Sequence, residues 1–350
     1  MVSRHARAAS CCMTLVLVAA PALGGGSGTD EWTTLDREIA ALAQSAQATE
    51  APAGLRVSAV LRANYAWFEE SPDPNIEDYS GFALDNVRPR FNGELGDFSF
   101  EVELEAQSGT ALVLDAYASW DFAESFALSM GRFQPALLRS ALVDPENLLF
   151  ILRTAPGQFF QERDEGAELA ARLGPVLLRG SLENGADGAG DQNAYTLRAD
   201  WDVRNSVRLV EGAYGSGRET CLAFGVGYHD DETAEDGGEV LAADGVLTLG
   251  WFSLAGEWLD FGDDEATYDT FADTSPWSAT ASYMIDPERY EIALRYEMLD
   301  DVNDVSVWTV GLNRYIAGHD VKWVLNAASV QSDKSDADGM VVGLGLTVNI

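Results

Sequence analysis

Cysteine, lysine, histidine and long apolar runs are all scarce in this 350-residue chain, and each scarcity removes a class of explanation. Cys11 and Cys12 lie in an N-terminal apolar stretch, so Cys221 stands alone in the remainder and cannot form an internal disulfide there. The histidines, His5, His229 and His319, are scattered, and no HExxH, GxSxG, P-loop, zinc-like cysteine or EF-hand spacing occurs. An enzyme, a metal site and a bound cofactor are therefore not expected. Positive charge is almost confined to arginine, Lys322 and Lys334 being the two lysines, and the formal net charge of -35 argues against a nucleic-acid partner. Beyond the N-terminus no apolar run approaches the roughly 20 residues that a membrane-spanning helix needs.

The N-terminus has the layout of an export leader over residues 1–24: Arg4, His5 and Arg7, then "CCMTLVLVAAPALG", then small residues. A short helical segment is expected over 31–50, where Trp32, Leu35, Ile39, Leu42 and Ala46 recur at spacings of three and four. It reads equally as a trimerising coil, a tether or a linker helix.

From residue 54 to the end the hydrophobic period is two. In "YEIALRYEM", Tyr290, Ile292, Leu294, Tyr296 and Met298 share one face, while Glu291, Arg295 and Glu297 share the other. Similar segments recur at 55–68, 86–95, 98–106, 111–121, 126–133, 164–173, 176–184 and 194–202, and again from 218 to 350. Many have about 10 residues, the length at which a tilted strand crosses a bilayer. Tyr65, Trp67, Trp120, Trp201, Trp251, Trp258, Trp277, Tyr283 and Trp308 sit near strand ends, as interfacial girdles require. Connections separate into short ones (96–97, 173–175, 284–289, 316–320) and long, mostly acidic ones (69–81, 185–193, 230–239, 261–275). That sorting fits an all-β, transmembrane antiparallel β-barrel of about 16 strands over 54–350, in the outer membrane and in contact with its lipid. The stretch 204–217 fits as a connection or strand extension, since a further strand would make the count odd. A soluble sheet with its charged side outward gives the same alternation.

In a barrel the polar parity faces the lumen, and a charge-lined lumen implies water. The expected pore wall comprises Arg56, Arg62, Arg88, Arg90, Arg179, Arg198, Glu257, Arg295 and Lys322. Arg295 is expected between Glu291 and Glu297, muting its pull on anions. The connection 134–163 is too apolar for a free surface loop, with Leu137, Leu138, Leu148, Leu149, Phe150 and Ile151. Folded inward it would form a constriction, with Arg132, Arg139, Arg153, Glu162 and Arg163 as the candidate groups. Packed against a neighbouring subunit, it would not. Charge reversal at Arg132 is expected to shift ion preference more than at Arg295.

The segments "LDAYASWDF" (114–122), "FALSMGRFQPAL" (126–137), "LLFILRTAPGQFFQERDEGAEL" (148–169), "SLAGEW" (253–258) and "TVGLNRYIAGHDVKWVLN" (309–326) resemble the phosphate-selective porin O and P family. The resemblance implies a 16-stranded homotrimeric outer-membrane barrel with an infolded third loop, passing small hydrophilic solutes or ions, including anions such as phosphate. Gln134 stands after "GRF" where that family's arginine and lysine ladder would place lysine. A non-conducting structural or adhesive barrel with acidic surface loops is the alternative.

Overall fold

The computed structural model describes residues 54–69, 79–107, 110–185, 193–216, 219–231, 238–262, 274–300, 304–332 and 338–350. The leader expected over 1–24 and the helical segment over 31–50 lie outside the described residues, as do the acidic stretches 232–237 and 263–273.

The strands are β1 (Arg56–Glu69), β2 (Tyr79–Leu95), β3 (Phe98–Gln107), β4 (Thr110–Ala123), β5 (Phe126–Phe133), β6 (Asp164–Leu173), β7 (Val176–Glu183) and β8 (Ala194–Arg204). They continue with β9 (Thr220–Asp231), β10 (Val240–Leu249), β11 (Phe252–Phe261), β12 (Trp277–Asp286), β13 (Tyr290–Met298), β14 (Val305–Ala317), β15 (Val321–Ser332) and β16 (Gly339–Asn349). Each pairs antiparallel with its sequence neighbour, and β16 closes on β1 from Val60↔Asn349 to Glu69↔Met340. The result is a closed 16-stranded antiparallel β-barrel with no free sheet edge.

The alternation that marks the strands also sets which side is buried, and the order is inverted relative to a soluble protein. In β13, Glu291, Ala293, Arg295 and Glu297 are buried, while Tyr290, Ile292 and Leu294 are exposed. The barrel exterior carries the apolar side chains. Its aromatics form two belts. Tyr65, Trp67, Trp258, Trp277 and Trp308 lie toward the long-loop end, and Phe98, Trp120, Phe126, Trp201, Tyr283 and Trp323 toward the short-turn end. Trp251 departs from the expected girdle. It packs against Ala213, Met284 and Tyr315 at the short-turn end.

The tight turns at one end reverse the chain through glycines in the left-handed region. Gly96 and Gly174, both at φ 62°, have that conformation and open space around them. A side chain there would be strained by its own backbone. One connection at this end is long. Residues 205–219 join β8 to β9, and the described ones among them, 205–216 and 219, form no further strand. Instead of trailing into solvent the connection turns inward, burying Ala213 completely.

Candidate channel interior

The connection 134–163 enters the barrel from the long-loop end. It contains two short helices, α1 (Arg139–Leu142) and α2 (Ala155–Phe159), with a 3-10 turn at Pro145–Asn147 between them. The Thr154 hydroxyl caps α2 by accepting from the Gly157 N–H at 3.2 Å. Leu137, Leu138 and Ala141 pack with Val240, Ala242, Leu259 and Phe261 of β10 and β11, and Phe159 and Phe160 join them. Phe150 lies over Gly311, where an added Cβ would stand 2.8 Å from its ring. Ile151 lies over Gly343 and Gly345. The inward glycines of β14 and β16 are thus seats for loop side chains.

Wall side chains then hold the loop by its backbone. Five successive carbonyls are engaged. Lys322 donates to Leu148 O at 2.5 Å, Asn313 to Leu149 O at 2.8 Å, and Arg62 to Ile151 O at 2.6 Å and Phe150 O at 3.5 Å. Arg295 donates to Leu152 O at 3.0 Å. Wall carboxylates accept the loop's amides in turn. Asp244 takes Arg139 N–H at 3.1 Å and Glu297 takes Ala155 N–H at 2.7 Å. Irregular backbone buried away from water needs such partners for every polar group, and charged partners give the stronger bonds.

The inward connection 205–219 is joined to the same layer. The Leu149 N–H donates to Glu211 Oε2 at 2.8 Å, and Glu211 N–H returns to Asn147 O at 3.1 Å. Glu291 accepts from Ala213 N–H and from the Tyr315 hydroxyl, both at 2.6 Å. Tyr214 stacks on Tyr315 with centroids 4.1 Å apart, and His319 meets both rings edge-on. Burial and the neighbouring Lys322 push the His319 imidazole down to about 3, so it is neutral and accepts from Lys322 Nζ at 3.3 Å.

Of the expected pore-wall residues, Arg62, Arg198, Glu257, Arg295 and Lys322 all point inward but are buried beneath the loop. Arg198 pairs with Asp200 (2.6 Å) and Asp244 (2.7 Å) and donates to Leu137 O at 2.7 Å. Glu257 accepts from the Ser278 hydroxyl at 2.9 Å. Arg295 pairs with Glu297 at 2.9 Å and lies 4.6 Å from the Phe150 ring centroid. Glu291 is committed to Ala213 and Tyr315, so the expected bracket of two carboxylates around Arg295 reduces to one. Arg88 pairs with Glu105 (2.5 Å) and Glu103 (3.4 Å), and Arg179 with Asp200 (2.9 Å). Arg90 faces three carboxylates, Glu103 (2.5 Å), Asp144 (3.1 Å) and Glu146 (3.7 Å). Arg56 is exposed at the short-turn mouth.

The expected constriction groups are not brought together. Arg139 donates to the Arg208 carbonyl of the inward connection, and burial lowers its guanidinium. Arg153 donates to the Ser140 carbonyl, and burial pushes it down to about 10. Arg163 reaches Asp115 on the wall at 3.2 Å, whereas Glu162 is exposed. Arg132 is on the opposite side of the sheet. It is opposite Ala116 and Glu165 in a register shared with the outward residues Met130 and Leu169, and it pairs with Glu165 at 2.8 Å. Charge reversal there acts outside the lumen, which removes the reason for the expected ranking over Arg295.

Both inward segments pack mainly toward β8–β16 and β1, the connection 134–163 also reaching β2 through Arg90 and β4 through the Arg163–Asp115 pair. The inward face of β3–β7 is left with water-accessible groups: Glu101, Tyr117, Ser119, Ser129, Glu168 and Arg179 are all partly exposed. The geometry is a barrel filled mainly on one side, with polar, partly exposed side chains on the other wall.

No family model and no curated protein matches the sequence. Solved structures share the fold. The chain is similar to an anion-selective porin from Comamonas acidovorans, with 12% identity over 85% of this chain and 99% of that one, and a TM-score of 0.60. It is also similar to Salmonella typhi OmpF in complex with daunomycin, with 12% identity, 85% and 97% coverage and a TM-score of 0.59. A loop L8 deletion mutant of OmpT, an outer membrane protein of Vibrio cholerae, matches with 11% identity, 85% and 99% coverage and a TM-score of 0.59. At these identities the likeness concerns the fold.

Proposed function

We propose that the chain is an outer-membrane porin through which small hydrophilic solutes and ions diffuse passively. The observation that carries this reading is the polar, water-accessible wall of β3–β7 inside a closed barrel whose exterior is apolar and belted by aromatics. Such an exterior matches lipid, and a partly exposed polar interior matches a water-filled passage. Residues 1–24 would direct export, and residues 31–50 would form a helical segment before the barrel.

A homotrimer is part of the proposal. Arg132 and Glu165 form an ion pair on the outward face, where lipid is a costly neighbour for charge. A subunit contact over β4–β6 would shelter it. The resemblance to the phosphate-selective porin O and P family supports the same assembly, but phosphate preference finds little support inside the barrel. Lys322 and Arg62 are spent on loop carbonyls, and Arg88, Arg90 and Arg179 on carboxylates.

Liposome swelling tests the reading. Vesicles containing the folded protein should swell in an isotonic solution of a small neutral sugar, and faster than in a large oligosaccharide. Vesicles that stay as tight as protein-free ones, with heat-modifiable barrel present, refute it and favour the non-conducting adhesive alternative.

A further inference from the structure

Resting on the channel reading above, we infer that the passage prefers cations, and that Glu101 and Glu168 on the wall of β3 and β6 set that preference. Apart from Arg56, which is exposed at the short-turn mouth without an ion pair among the described residues, the inward arginines of β2, β7 and the adjoining loop end are engaged by acid. Arg88 and Arg90 share Glu103, Arg163 holds Asp115, and Arg179 holds Asp200. The acids are in excess at these contacts. Around Arg90 alone, one guanidinium meets Glu103, Asp144 and Glu146, and the Asp144 side chain is 46% exposed.

Among the described residues, three buried cations without a carboxylate partner within 4.0 Å are turned to the loop and away from water. Lys322 holds carbonyl 148 and Arg62 carbonyls 150 and 151 from behind, and Arg153 is buried against the Ser140 carbonyl.

Glu101 and Glu168 are the converse. Both point inward between outward neighbours: Glu101 is flanked by Phe100, and Glu168 by Leu169, which are exposed on the exterior. Both are partly water-accessible. Glu101 accepts from the Asn92 amide at 3.0 Å, and neither carboxylate has an ion pair among the described residues. A free carboxylate about 5 Å from a passing ion changes that ion's Boltzmann weight about fourfold in water, upward for a cation and downward for an anion. The infolded connection reaches this wall at the Arg90–Asp144, Arg90–Glu146 and Arg163–Asp115 contacts, and most of its other contacts are on the far side, so an ion that passes here runs close to these groups. Screening limits the effect, because the Debye length shrinks from about 10 Å at 0.1 M salt to about 3 Å at 1 M.

The test is the reversal potential of the full, folded chain in planar bilayers across a potassium chloride gradient. The wild type should show the sign of cation preference at about 0.1 M salt, with a permeability ratio that falls toward one at about 1 M. The double substitution Glu101→Gln with Glu168→Gln should lower the ratio at least about twofold. Arg132→Gln, on the barrel exterior, should leave it unchanged. A wild-type potential of the anion sign overturns the inference, as does a ratio insensitive to salt, which remains measurable should the double variant not fold. An unchanged ratio in the folded double variant also overturns it. Conductance with the wrong sign leaves the channel reading standing, whereas no conductance at all removes both.

Discussion

Replacing Phe150 with alanine should loosen the infolded connection without loosening the barrel. The ring is fully buried, seated over Gly311, in contact with Leu149 and Ala293, and covered by the Arg295 guanidinium at 4.6 Å. Truncating a buried phenylalanine costs about 3–5 kcal/mol, of which the cation–π contact supplies about 0.5–2 kcal/mol. Phe150 belongs to the connection rather than to a strand, so the loss falls on loop docking. The five carbonyl contacts at 148–152 remain, and the loop should stay docked on average while opening more often. Hydrogen exchange reads this directly, since the amides of Arg139, Leu149 and Ala155 are bonded to Asp244, Glu211 and Glu297. Their exchange should accelerate by roughly 10²-fold to roughly 5,000-fold, with strand amides unaffected. Unchanged protection at these three amides would refute the docking account. Equal acceleration through the strands would show that loop and barrel open as one unit, also against it.

Other perturbations probe other parts. Gly311→Val sets a side chain where a Cβ already meets Phe150 at 2.8 Å, so the same three amides should lose protection although the loop sequence is intact. Leu294, exposed on the exterior between Ala293 and Arg295, should face lipid. Leu294→Lys should cost about 2–4 kcal/mol if it lies near the bilayer midplane, read by urea titration in vesicles; a neutral effect would contradict the lipid-facing assignment. Burial and Lys322 hold the His319 pKa down to about 3, below the roughly 6.5 of an unfolded imidazole. The unfolded state therefore binds more protons between those values, and stability should fall as pH drops through that window. His319→Gln should flatten that part of the thermal-stability profile between about pH 6.5 and about pH 3, and an identical slope in both proteins would show that His319 is not the group involved.

The barrel was legible because its signal is redundant. Strand parity, turn glycines and loop sorting repeat along the chain, so local ambiguity in any one segment does not matter. The wall at β10 shows where that signal weakens. "VLAADGVLTL" carries apolar residues on both faces, Val240, Ala242 and Val246 facing inward beside Asp244 and Thr248, with Val240 and Ala242 packed against the loop. Inward glycines at 227, 311, 343 and 345 carry the same message: each is close to a side chain or carbonyl of 134–163, or leaves room for one. Small or apolar residues on the otherwise polar parity were the available sign of a filled lumen.

The interior charges were legible as inward-facing but not as to role. Alternation states which side of the sheet a residue faces, not what covers it. Arg62, Arg295 and Lys322 hold backbone carbonyls contributed by a segment far away in sequence, and periodicity carries no trace of that. Arg132 was misplaced for a different reason. Its polarity suggests the lumen, but the strict parity of Phe126, Leu128 and Met130 puts it outside, paired with Glu165. Here parity was the better guide than residue type. The inward course of 205–219 had no evident periodic signal; Glu211 and Ala213 gain their importance from Leu149 and Glu291 across the barrel.

Single-channel recording of the full, folded chain in a planar bilayer tests the central claim most directly. A water-filled passage along β3–β7 predicts discrete, reproducible conductance steps, and Phe150→Ala should make the open level noisier. Heat-modifiable barrel that inserts into the bilayer and passes no current would contradict the account.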